Sequence, residues 1–315
     1  MNKWMIAVAA ACGMVLAAQA AEPPRAGGGA GGFQQPLVLP VCTRATLQAA
    51  ADSYLAAQKA GDASKIAFAD KARYLENMSE VEPGKGLWNT KLPVAFSRSF
   101  LDAKRCKTFT EVIVTEGGHP YVIGTRLYVD NGKVTRIDSV VTQQGDWAFN
   151  ADNYLKYSKA ENWQITPQQR TGGEAMINGA NAYLDLFSDK FRVAPWGQPC
   201  ARLEGGAYTN HSADINDPKS TCKVGIPNGV LYLVNRDYVV DDVQGVVNVF
   251  CRFGDSKTGM VDSHTFHYVN GKFRFVHTLS VAASKGQQGG APPGPPAGGG
   301  PRLPQPASPA NAAPK

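Results

Sequence analysis

The sequence predicts an α+β protein made of two copies of one unit, each a helix followed by a curved antiparallel sheet that ends in a long hairpin. Three observations carry this. "TRLYVDNGKVTRIDSVV" (125–141) aligns without a gap on "HTFHYVNGKFRFVHTLS" (264–280), with the shared Asn-Gly-Lys at Asn131 and Asn270. Upstream of each hairpin, "LQAAADSYLAAQKAGD" (47–62) and "MINGANAYLDLFSDK" (176–190) share Ala-x-x-Tyr-Leu at helical spacing, at Ala51, Tyr54, Leu55 and Ala180, Tyr183, Leu184. Between helix and hairpin, "FTEVIVT" and "GVVNVFCRF" read as strands. An internal repeat decides the architecture before any local propensity does, and Asn-Gly between apolar runs is the strongest short-range hairpin signal.

The remaining segments frame these copies. Residues 1–21 carry Lys3, an apolar stretch and the small-residue site Ala18-Gln19-Ala20, the pattern of a cleaved export signal. A Gly/Pro-rich linker (22–38) and a Pro/Gly-rich tail (285–315) bound domains expected at 39–160 and 161–284; such composition buries too little apolar surface to offset ordering entropy. Apart from the leader, no apolar run reaches the length of a membrane span. The formal net charge is +6, but the basic residues are scattered, which argues against a nucleic-acid partner. Of the six cysteines, Cys12 leaves with the leader. In an oxidising compartment the others pair by default. Cys42 with Cys106 and Cys200 with Cys222 are the expected bridges, leaving Cys251 as a buried thiol in a strand. No CxxC or CxxH spacing suggests a metal site, so none is expected, and no nucleotide-binding or G-x-S-x-G pattern occurs.

Three of the five histidines fall in the second hairpin. With Asn270-Gly271 as a two-residue turn and an uninterrupted ladder, Tyr268 faces Phe273, Phe266 faces Phe275, and His264 faces His277. Side chains alternate, so these pairs share one aromatic face that turns inward, and His267 sits on the opposite, solvent side. Two apposed imidazoles in an apolar cavity are suited to general acid/base work near neutral pH. The first copy places Thr125 opposite Asp138 at the same positions, a second pocket to which Tyr74, Glu76 and Asn77 contribute. Arg202 and Glu204, two apart on an extended segment, share a face. Arg202, Tyr183, Trp196 and Tyr208 are expected as substrate contacts. Trp147 and Phe149 are expected between the copies, Asp146 near a pocket mouth, and Asp241-Asp242 in a turn.

Helix, then sheet, then long hairpin, twice over, resembles two tandem cone-shaped domains of the nuclear transport factor 2 (NTF2) and SnoaL type. The resemblance to such cone-shaped domains implies that Glu204 orients or deprotonates a histidine. "YLENMSEV", "GDWAFNA", "WGQPCARLEGGAYT" and "DSHTFHYVNGKFRFVHT" further resemble a largely uncharacterised family of secreted two-domain proteins, fungal and bacterial. The resemblance implies a cofactor-free enzyme acting on a small aromatic molecule, with hydrolysis of β-aryl ether bonds in lignin-derived compounds as the specific expectation. Isomerisation or dehydration of a secreted metabolite or sugar acid, and non-catalytic small-molecule binding, are the alternatives. Sheet-mediated homo-oligomers are usual for such domains.

Overall fold

The computed structural model describes residues 42–82, 84–209, 214–223, 225 and 231–282. The expected leader, linker and tail, and His211, lie outside them. In chain order the elements are α1 (Arg44–Ala60), β1 (Phe68–Glu76), β2 (Ser79–Glu80), β3 (Val94–Asp102), β4 (Lys107–Val114), β5 (Tyr121–Asp130) and β6 (Lys133–Thr142). Then follow α2 (Ala151–Ala160), α3 (Gly173–Asp185), β7 (Trp196–Glu204), β8 (Ala207–Tyr208), β9 (Leu233–Asp241), β10 (Val246–Phe253), β11 (Met260–Val269) and β12 (Lys272–Ser280).

Local chemistry sets the helix ends. Thr43 caps α1 by accepting the Thr46 N–H, and Gly61 closes it in the left-handed region at φ 65°, where glycine carries no Cβ penalty. Leu47, Ala51, Tyr54 and Ala57 recur at three- and four-residue spacing and form its buried stripe. α3 buries Met176, Ala180, Tyr183 and Leu184 in the same way.

The two sheets have identical topology, β2-β1-β6-β5-β4-β3 and β8-β7-β12-β11-β10-β9. The expectation of purely antiparallel sheets needs one correction: β1 pairs parallel with β6, and β7 with β12. The strand that follows the helix closes onto the last strand of its own unit. Both Asn-Gly turns form, with Asn131, Gly132, Asn270 and Gly271 all at positive φ, as a two-residue hairpin loop requires.

A bulge interrupts each hairpin two steps from its turn. Tyr268 pairs with Phe273, but His267 pairs with Phe275, leaving Arg274 as the extra residue; Thr135 is the extra residue at the matching place in the first copy. A bulge bends the strand and adds twist, which curls a flat ladder into a cone. It also reverses side-chain parity on β12 and β6 beyond it.

The layers run helix, sheet, sheet, helix. α1 packs on the inner face of the first sheet around Leu101, Val112, Ile123, Leu127 and Ile137. α3 packs on the inner face of the second around Val247, Val249, Phe266, Tyr268 and Phe273. The outer faces pack on each other through Phe100, Phe109, Ile113 and Val122 against Val239, Phe250, Phe275 and Leu279. The face expected to meet solvent is therefore an internal seam. Fully buried Arg126 crosses it, donating to Asn248 Oδ1 (2.6 and 2.9 Å) and to Asp237, with Phe250 under its guanidinium at 3.8 Å. Asp241 binds Arg44 at 2.7 Å and the Leu101 N–H at 2.8 Å while accepting from the Val243 and Gln244 amides, so its turn is also a staple. Phe149 packs into the seam, and Asp146 accepts the Ala282 N–H at 2.7 Å.

Both expected disulfides form, Cys42–Cys106 and Cys200–Cys222, and Cys251 is a free, buried thiol. No helix among the described residues is long and apolar enough to cross a membrane.

Candidate active site in the second cone

The bulge changes the histidine geometry. His264 faces Thr278, and His277 faces Thr265. His264 stays on the inner face with Phe266 and Tyr268, whereas His277 and Phe275 turn into the seam. The predicted His264–His277 apposition does not occur, because the extra residue Arg274 shifts every later side chain of β12 by one step. His267 is not at the surface either. It is fully buried, packed against the rings of Trp163 (4.9 Å) and Phe275 (5.7 Å), and burial, with Arg98, Arg274 and His277 nearby, pushes its pKa down to about 3.

His277 is clasped from both sides. Nδ1 lies 3.0 Å from Glu111 Oε1 on β4 and Nε2 2.6 Å from Glu161 Oε2 beyond α2. Tyr154 donates to the same Glu111 oxygen at 2.7 Å, and Trp163 Nε1 to Glu161 at 2.8 Å. Burial alone would lower the His277 pKa, but the two carboxylates outweigh it and raise it to about 9. Burial likewise acts to raise Glu111, and the His277 charge overcomes it, holding that carboxyl at about 2. With both ring nitrogens committed, His277 has none left for a substrate. Tyr208 also faces the seam, stacked on Tyr157 at 4.0 Å. Asp138 faces Arg126 rather than Thr125 and pairs with Arg136 and Tyr128. It belongs to a seam cavity of about 180 Å³, not to the first cone.

Three ladder rows build the inner wall of the second cone. The first is Cys251–Asp262–Ser280, the second Val249–His264–Thr278–Glu204, and the third Val247–Phe266–Val276–Arg202. Tyr183 reaches down from α3, its ring 5.5 Å from His264 and 5.1 Å from Phe266. Trp196 and Phe273 pack edge-on against it at 5.6 and 6.1 Å. Tyr268 spends its hydroxyl on the Met176 carbonyl at 2.6 Å, so it anchors α3. Arg202 is buried, ion-paired to Glu204, and its Nη1 lies 3.4 Å from the Tyr183 hydroxyl. Burial, opposed by Arg202, pushes the Tyr183 phenol up to about 12.

Asp262 is the residue the sequence reading missed. Its Oδ2 lies 2.9 Å from His264 Nδ1, and Ser280 Oγ donates to Oδ1 at 2.7 Å. The available signal was Asp-x-His on one strand, which places both side chains on one face. Cys251 Sγ approaches the same carboxylate at 3.9 Å; burial, with Asp262 beside it, holds the thiol protonated, well above its usual range. Three buried polar atoms of this wall, Arg202 Nε, Thr278 Oγ1 and His264 Nδ1, lack a directed hydrogen-bond partner. Buried polar atoms are nearly always paired, so such a cluster calls for an explanation.

The first cone pairs most of its polar groups internally, Trp88 Nε1 excepted. Tyr54 bonds Thr125 (2.8 Å), which bonds Ser139 (2.9 Å), and Tyr74 donates to Glu76 (2.7 Å), which also accepts the Leu87 N–H. Trp88 packs over Tyr74 and Phe68, filling the space.

Fold and site together define a tandem pair of NTF2-like α+β cones, with the ionisable side chains concentrated in the second. The family model described as a domain of unknown function, DUF8021, matches residues 41–141 and 169–280, one segment per repeat, and the chain belongs to that family. No curated protein matches. Among solved structures, the chain is similar to an NTF2-like protein of unknown function from Burkholderia xenovorans LB400, at 18% identity over 39% of this chain and 97% of that one, TM-score 0.27. It is also similar to an NTF2-like protein of unknown function from Shewanella baltica OS155, at 14% identity over 32% and 94%, TM-score 0.24.

Proposed function

We propose that the second cone is a cofactor-independent acid–base site for a small oxygenated aromatic molecule, in an exported protein. The observation that carries this reading is the Asp262–His264 pair beside the unpartnered Arg202 Nε and Thr278 Oγ1. The Asp262 carboxylate, 2.9 Å from Nδ1, favours a proton there by its charge, so Nε2 is the atom that takes a proton from water or substrate. Arg202 and Tyr183 are the donors for a developing oxyanion, and Glu204 balances and positions the guanidinium. Tyr183, Phe266, Phe273 and Trp196 supply the aromatic wall. Two disulfides suit an oxidising compartment.

The family resemblance supports hydrolysis of a β-aryl ether as the reaction. Water adds to the carbon that bears the ether oxygen, its proton passing to His264. The carbon–oxygen bond breaks, and the phenolate leaves and is protonated from His264 or Tyr183, so one water yields one alcohol and one phenol. The same groups without water would move a proton within an isomerase or dehydratase substrate, and only ether cleavage releases phenol. Incubating the mature protein with a β-aryl ether dimer in metal-free buffer is expected to release phenol, and His264→Ala to lower that release by roughly 10²- to 10⁴-fold. Undiminished release by that variant would sink the assignment.

A further inference from the structure

We propose that Cys251, Asp262 and His264 form a binding site for one thiophilic divalent cation of the zinc class. They offer a thiol sulfur, a carboxylate oxygen and a ring nitrogen, all buried and all within 4.8 Å of one another. Ligand atoms around tetrahedral zinc, with bonds of about 2.0 Å to nitrogen or oxygen and 2.3 Å to sulfur, stand roughly 3.3 to 3.6 Å apart. The measured separations from Asp262 Oδ2, 2.9 Å to His264 Nδ1 and 3.9 Å to Cys251 Sγ, bracket that spacing. Ser280 Oγ bonds the other carboxylate oxygen, the kind of outer contact that orients a metal-binding carboxylate. His264, 2% exposed, aims a nitrogen without a directed partner into the cluster. Charge balances as well: thiolate and carboxylate match a dication, and neighbouring Arg202 is already paired with Glu204.

The first repeat is an internal control. By strand pairing, Val112, Ile123, Thr125 and Val141 hold the positions of Cys251, Asp262, His264 and Ser280. The cone closes with apolar residues at three of those four places, so packing does not require a thiol, a carboxylate and a hydroxyl there. On binding, the thiol loses its proton to solvent, which makes affinity rise with pH. Coordination through Nδ1 puts the ring proton on Nε2, turning His264 from a proton acceptor into a donor. On the acid–base reading above, and only there, the cation is therefore an inhibitor.

Cobalt(II) is the probe, because Cys251 is the one cysteine outside a disulfide among the described residues and a sulfur signal reports it. Titrated into metal-stripped mature protein, cobalt is expected to give a thiolate-to-metal charge-transfer band that zinc displaces. Cys251→Val, which installs the first repeat's residue, should keep the circular dichroism spectrum and lose the band. Ser280→Ala should keep the band with affinity about 10- to 100-fold weaker. A cobalt complex without a sulfur band, or a band that Cys251→Val leaves intact, overturns the site whatever the enzyme does. Turnover is read separately: zinc should suppress phenol release in the wild type and much less in Cys251→Val. Zinc without effect on a turning-over, cobalt-binding protein would overturn the inhibition alone.

Discussion

Tyr54 in the first cone and Tyr183 in the second stand at the same turn of equivalent helices and point at equivalent strands, yet they meet different chemistry. Tyr54 closes a chain of neutral hydroxyls with Thr125 and Ser139. Tyr183 meets Arg202, with His264 against its ring. The exchange of Thr125 for His264, Tyr74 for Arg202 and Ile123 for Asp262 leaves the ladders unchanged and loads one cone with ionisable groups. One backbone can carry either set of side chains, because the ladder hydrogen bonds that hold it do not involve the inward side chains.

The largest effect that separates the two cones is on activity. His264→Ala should lower turnover by roughly 10²- to 10⁴-fold, the range of a lost general acid or base, while Thr125→Ala in the first cone leaves turnover intact. Phenol release from purified variants measures both, and loss of activity in Thr125→Ala would break the assignment of chemistry to one cone.

The seam between the cones is the next test. His277→Ala leaves Glu111 and Glu161 buried without their cation and should cost roughly 3 to 5 kcal/mol, seen as a lower urea midpoint. The pH dependence follows from the shifts. His277 is raised from 6.5 to about 9, so its contribution is complete below pH 6.5 and is lost as pH rises through about 9. Glu111 is lowered from 4.5 to about 2, so its contribution is present above pH 4.5 and is lost as pH falls through about 2. Wild-type urea midpoints should therefore decline on both sides of that window, and His277→Ala should flatten the alkaline decline.

Covalent ties differ between the repeats too. Cys42–Cys106 closes a separation of 64 residues and Cys200–Cys222 one of 22. Loop-closure entropy assigns them about 4 and 3 kcal/mol respectively, so Cys42→Ala with Cys106→Ala should lower the midpoint more than Cys200→Ala with Cys222→Ala. The smallest effect belongs to the tyrosines. Tyr54→Phe should cost about 1 kcal/mol of stability, the net worth of a hydrogen bond, and leave turnover unchanged, whereas Tyr183→Phe should lower turnover instead. Equal losses of activity in both would erase the distinction between the cones.

Much of the fold was legible in the chain. The gapless hairpin repeat and the paired Ala-x-x-Tyr-Leu helices implied two copies of one unit, and the Asn-Gly turns formed where expected. Both disulfides and the buried Cys251 were also foreseen. The structure brings His264, Arg202, Glu204, Tyr183 and Phe266 of the expected set together on one wall. His277, Tyr208, Phe275 and Asp138 were assigned to the wrong face, and Asp262 was passed over.

By itself the sequence determined what depends on local chemistry: helix stripes set by a 3.6-residue period, turns set by Asn-Gly, and the repeat itself. Only the tertiary structure decided which face each later residue of β12 and β6 occupies, because one extra residue at Arg274 or Thr135 inverts a period of two and no local signal marks it. The tertiary structure also decided that the outer faces meet. Burial of that seam turns His277 from an expected catalyst into a clasp between Glu111 and Glu161, since those carboxylates, 166 and 116 residues away along the chain, become its neighbours only when the two sheets pack.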